Sequence, residues 1–90
     1  MIPKFNTKSI KPEELRVGDQ LIHSTLLYKQ YFIITVNWLG NAYFEGFIEE
    51  STFEGYHANR VCSFSYADVN NIFKKIVTPN YNNVWNKLNK

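Results

Sequence analysis

The stretch YFIITVNWLGNAYFEGFIEE, residues 31–50, limits the fold more than any other part of the chain. Phe32, Ile34, Val36 and Trp38 recur at period two, the signature of one face of an extended strand. Tyr31, Ile33, Thr35 and Asn37 take the opposite face, which is therefore also partly covered. A second run, residues 42–49, puts Phe44, Gly46 and Ile48 on one side. Tyr43, Glu45, Phe47 and Glu49 fall on the other. Two such runs a few residues apart predict an antiparallel hairpin.

Two turn solutions compete for that hairpin. A two-residue turn at Gly40-Asn41 suits local preference but sets Phe32 beside Glu49 and Val36 beside Glu45. A three-residue loop, Leu39-Gly40-Asn41, instead sets Phe32 by Ile48, Ile34 by Gly46 and Val36 by Phe44. A one-residue slip turns a whole strand over, and burying two carboxylates costs more than a turn preference returns. The three-residue loop is therefore expected, with Gly40 or Asn41 in the left-handed conformation. Phe32, Ile34, Val36, Phe44 and Ile48 then form the core. Gly46 leaves room for close approach or a bulge.

Around this hairpin the pattern reads as one domain. Ninety residues leave no room for two cores, and a composition 44% hydrophobic and 17% aromatic argues against disorder. Residues 1–8 read as an irregular or extended arm. Pro12, Glu13 and Glu14 suit a single helical turn. Gly18 breaks it at a backbone angle other residues avoid, and residues 20–25 follow as a strand. Residues 26–30 read as a loop, 50–58 as a polar loop and 59–64 as a short strand. Ser65 and Asp68 resemble a capping box, and Val69, Ile72, Phe73 and Ile76 recur at i, i+3, i+4 and i+7, predicting a helix over 66–76. In the Asn-rich tail, residues 78–90, the stripe Tyr81, Val84, Trp85 and Leu88 predicts a marginal helix ordered by docking. It docks within the chain or across a homodimer.

The order turn, LRVGDQLI strand, long hairpin, short strand and helix resembles small SH3-like barrels over residues 13–64. That resemblance implies a fold and no single activity, since such barrels bind proteins, bind nucleic acids or act as nucleases. The expected class is α+β and mostly β. It is a strongly bent antiparallel sheet or partly open SH3-like barrel of about 4–5 strands, with a C-terminal helix.

Chemistry-bearing patterns are sparse. Cys62 is the single cysteine, so no intramolecular disulfide or cysteine zinc cluster forms, which suits a reducing compartment. His23 and His57 stand alone, without metal-ligand or nucleophile spacing. Cys62, between Val61 and Ser63 and close to Phe64, reads as a small buried hydrophobe. Glu45, Glu49, Glu50 and Glu54 are the acidic cluster, read as a solvated outer face. The opening residues lack a signal-like apolar run, and no apolar run approaches the roughly 20 residues of a membrane span. A cytoplasmic protein without cofactor or metal is expected.

The surplus of aromatics bears on function. Tyr31, Tyr43 and Trp38 cannot all be buried with satisfied polar atoms. Either they face a partner, as Tyr and Trp do at interaction hot spots, or the tail covers them. The expected binding surface comprises Tyr28, Tyr31, Trp38, Tyr43, Arg60 and Trp85, and the expected function is a non-enzymatic protein-binding module. Single-stranded nucleic acid, held by Tyr28, Tyr31, Lys29 and Arg60, is the alternative partner. The near balance of charge, +2, disfavours it. A small nuclease or hydrolase ranks last. Eleven Asn, eight Lys and eight Ile against two Arg suit an AT-rich source, such as a low-GC bacterium, its phage or a plasmid. In a phage or mobile element, an inhibitor of a host defence protein is a natural example of such a module.

Overall fold

The computed structural model describes residues 5–77. Within them the chain forms β1 (Thr7–Lys8), a 3-10 turn (Pro12–Glu14), β2 (Gln20–Thr25), β3 (Gln30–Leu39) and β4 (Tyr43–Ser51). β5 (Val61–Ser65), α1 (Ala67–Asn71) and β6 (Lys74–Ile76) follow. The strands make one six-stranded antiparallel sheet in the order β1-β6-β2-β3-β4-β5. β1 and β5 are its two edges and do not pair, so the sheet stays open and is not a closed barrel. The residues of the expected tail helix, Tyr81 to Leu88, lie outside those described.

The entry to the sheet follows from local chemistry. Pro12 presets the first turn, and the Lys11 N–H donates to Glu14 Oε1 at 3.0 Å. Gly18 takes φ +97°, a conformation that costs glycine nothing. Its N–H donates to the Val36 carbonyl at 2.8 Å, and the Val36 N–H donates to the Asp19 carbonyl at 2.9 Å. The Asp19 carboxylate accepts from the Arg16 N–H and pairs with Lys75 at 3.3 Å. This pivot delivers the chain into β2 already hydrogen-bonded to β3.

Both faces of the sheet bury apolar side chains. On one, Leu21, Phe32, Ile34, Val36, Phe44, Ile48 and Phe64 pack beneath Ile10, Leu15, Val69 and Phe73. On the other, Ile22, Tyr31, Ile33 and Ile76 gather with Phe5. The five residues read as hairpin core are all buried.

From Phe32 to Val36 the hairpin keeps the expected faces but not the expected pairing. Ile34 lies opposite Ile48 and Val36 opposite Gly46, while Phe32 lies opposite Ser51. For Ile34 and Val36 the shift is two residues, which leaves their faces unchanged, so the alternation predicted the core but not the register. The loop is Gly40-Asn41-Ala42, one residue later than expected. Neither Gly40 nor Asn41 has a positive φ. Gly40 is required by space: a Cβ there would sit 2.3 Å from a Trp38 ring carbon and 2.8 Å from the Tyr43 carbonyl oxygen. Gly46 is also a close approach, where a Cβ would lie 2.7 Å from Ile34 Cδ1.

Two bulges complete the hairpin. The register breaks between Val36 and Trp38, so Trp38 pairs with Glu45 and Leu39 with Phe44. One extra residue reverses the alternation. Trp38, expected on the core side, moves to the outer face, and Leu39 packs against the core in its place. A second break between Ile33 and Ile34 sets Ile33 opposite Glu50.

The expected helix over 66–76 is corrected. Only Ala67–Asn71 is helical, and Lys74–Ile76 is β6, inserted between β1 and β2. Asn70 and Asn71 are poor helix formers, and β6 gains ladder bonds on both sides. Val69 and Phe73 still reach the core, Ile76 joins the opposite face and Ile72 is left exposed. Tertiary pairing has overridden a helical period.

Candidate functional site

β3 has ten residues, roughly 33 Å of extended chain, and at its two ends stand Leu26, Leu27, Tyr28, Trp38 and Tyr43, half of the ten exposed large apolar residues among those described. At the hairpin end, Trp38 and Tyr43 are half exposed, but their rings touch each other, with centroids 5.3 Å apart. Trp38 lies over Gly40, and the Gly40 N–H donates to the Tyr43 carbonyl at 2.9 Å. The Tyr66 hydroxyl donates to the Gly40 carbonyl at 2.5 Å. These aromatics are held in a local network.

The turn end differs. Leu26, Leu27 and Tyr28 form the connection from β2 to β3 and are 87%, 82% and 70% exposed. Neither core cluster includes them. Lys29 follows at φ +54° and closes the turn. Three consecutive apolar side chains thus stand in water at the tip of a hairpin, outside both core clusters of the described residues.

Hydrogen bonds and ring contacts brace the platform behind this tip. The Thr52 N–H donates to the Tyr31 carbonyl, and the Tyr31 N–H donates to Thr52 Oγ1, both at 2.9 Å. The loop after β4 therefore starts beside the base of the tip. Within it Phe53 and Tyr56 fold onto Phe32, with centroids 5.4 and 4.4 Å away. Phe64 and Phe73 complete the ring of aromatics. This loop read as polar in sequence. The missed signal was an aromatic pair at i, i+3 beside Gly55, whose φ is +90°.

The histidines separate in character. His23 Nδ1 lies 3.0 Å from the Ile72 carbonyl, so that nitrogen carries the proton and donates it. The ring stacks on Phe53 at 5.3 Å. His23 is thus a hydrogen-bonded part of the aromatic cluster. His57 sits exposed in the loop before β5. Cys62 is partly buried and packs against the core.

Of the other sequence-chosen residues, Tyr28 belongs to the exposed tip. Arg60 is exposed just before β5, its carbonyl accepting from the Ile48 N–H at 2.8 Å. Tyr31 is only 7% exposed, and its hydroxyl donates to Glu50. Trp85 lies outside the described residues. On the outer face Gln20 Nε2 donates to Thr35 Oγ1 at 3.3 Å, which donates to Glu49 at 2.5 Å. Glu49 and Glu50 are therefore tied into the sheet. Among the described residues, no group of three or more His, Cys, Asp or Glu is placed to hold a metal ion. No helix among them is long and apolar enough to cross a membrane. No family model, curated protein or solved structure matches the chain.

Proposed function

We propose that the protein is a small, non-enzymatic protein-binding module whose contact element is the β2–β3 tip. The observation that carries this reading is the run Leu26, Leu27 and Tyr28, exposed in sequence on a hairpin braced by the aromatic cluster behind it. Two leucines and a tyrosine supply apolar area and one hydrogen-bonding tip, the composition of an anchor that fills a partner's pocket. Bracing limits the ordering cost of binding. The engaged ring of His23 supports a structural role for that residue over acid–base chemistry.

The Asn-, Lys- and Ile-rich composition supports an AT-rich source. In a phage or mobile element such a module would act in the host cytoplasm as an inhibitor of a defence protein. A nucleic-acid partner has weaker support, because Glu45, Glu49 and Glu50 share the outer face with the tyrosines of the hairpin.

The test compares the wild type with a Leu26→Ser/Leu27→Ser variant as baits in extracts of the source cell. Both should have the same circular dichroism, with stability within about 0.5 kcal/mol, because exposed positions contribute little to folding. A protein retained by the wild type and released by the variant is the expected result. Identical retained proteins on both baits would overturn the proposal.

A further inference from the structure

β5 (Val61–Ser65) is an outer strand of the sheet and longer than β1, the two-residue strand at the other edge. Its hydrogen-bonding direction follows from its start. The Ile48 N–H donates to the Arg60 carbonyl at 2.8 Å, and the Asn59 N–H donates to the Ile48 carbonyl at 2.7 Å. Asn59, at φ +68°, makes the bulge that allows both bonds. Alternation along an antiparallel ladder then makes Gly46–Cys62 and Phe44–Phe64 the hydrogen-bonded pairs. The N–H and C=O groups of Val61, Ser63 and Ser65 point away from β4, where no other strand of the described residues pairs with β5.

Natural edges are blunted by lysine, proline, a bulge or short length. Val61–Ser65 contains no charged residue and no proline, and its register with β4 is unbroken. Its outward groups are also symmetric about Ser63. We propose that β5 pairs antiparallel with β5 of a second copy, about a two-fold axis through Ser63, joining two sheets into one.

Ser63 would then exchange both bonds with Ser63 of the second copy, and Val61 would do so with Ser65. No charged side chains meet directly. Glu45 lies one strand inward from Ser63, so the two Glu45 carboxylates stand about 14 Å apart, three strand spacings. That exceeds the screening length of roughly 8 Å at physiological salt. On the outer face, half-exposed Val61 would be covered by Ser65 and the adjoining, half-exposed Tyr43 of the second copy. Self-pairing thus satisfies the free backbone groups and covers exposed apolar surface without a charge clash. A five-residue ribbon falls below the roughly 1,200 Å² of a standard interface, so the dimer is weak and concentration-dependent.

Sedimentation of the full chain from about 10 µM to 1 mM spans the range expected of a weak contact. The average mass should rise toward that of a dimer. In Ser63→Lys, whose side chain lies on an exposed face, two ammonium groups would oppose each other across the axis. Dimerisation should weaken by about two- to fivefold, with unchanged circular dichroism. Leu26→Ser/Leu27→Ser should dimerise like the wild type, which separates this contact from the β2–β3 tip. A wild type monomeric throughout would overturn the proposal. So would a folded Ser63→Lys that dimerises as strongly as the wild type, or a dimer lost in the tip variant.

Discussion

The two ends of β3 both expose large apolar side chains, but only one end uses them to hold its own shape. At the hairpin end Trp38 lies on Gly40, touches Tyr43 and borders a turn closed by the Tyr66 hydroxyl. At the turn end Leu26, Leu27 and Tyr28 project beyond both core clusters. Fractional exposure alone would rank both ends as binding surface. Contacts separate them: the hairpin-end rings pack on each other and on their own turn, and the tip belongs to neither core cluster of the described residues.

The largest expected effect lies beneath the tip. Phe32→Ala removes the ring on which Phe53 and Tyr56 rest, along with contacts to Phe64 and Phe73. Urea unfolding should show a loss of about 3–5 kcal/mol, typical of a buried aromatic truncated to alanine. A loss below about 1 kcal/mol would mean that the aromatic cluster is not a packed platform. The comparison would then fail at the turn end.

The next effect tests the hairpin end. In Gly40→Ala the new methyl must displace the Trp38 ring and press on the Tyr43 carbonyl. A destabilisation of about 1–3 kcal/mol is expected, the usual cost of overpacking. A shift in tryptophan emission should accompany it. Unchanged stability and emission would mean that Trp38 does not rest on Gly40, leaving the hairpin end as free as the tip.

How far the sequence disclosed this molecule depended on the range of the interaction. Alternation over residues 32–36 and 44–48 is local, and it placed the core on the right face. Gly18 was legible because its role is a backbone angle. The bulge before Trp38 was not, since a single extra residue leaves the composition unchanged while reversing every later side chain. β6 was hidden for another reason. Val69, Ile72, Phe73 and Ile76 have helical spacing, and the pairing that overrides it joins Lys74 to Ile22 and Ile76 to Thr7, far away in sequence. Of the candidate site, Tyr28 was picked out, but Leu26 and Leu27 were passed over as loop. The signal for the tip is consecutive leucines where a turn should be polar.

The most direct test of the contrast is site-specific photocrosslinking in cells that naturally make the protein. A benzophenone side chain would replace Leu27 in one variant and Trp38 in another. The account predicts a discrete heterologous protein adduct from position 27, lost when Leu26 is also changed to Ser, and no matching adduct from position 38. An adduct from position 38 alone, or none from position 27 at native expression, would contradict it.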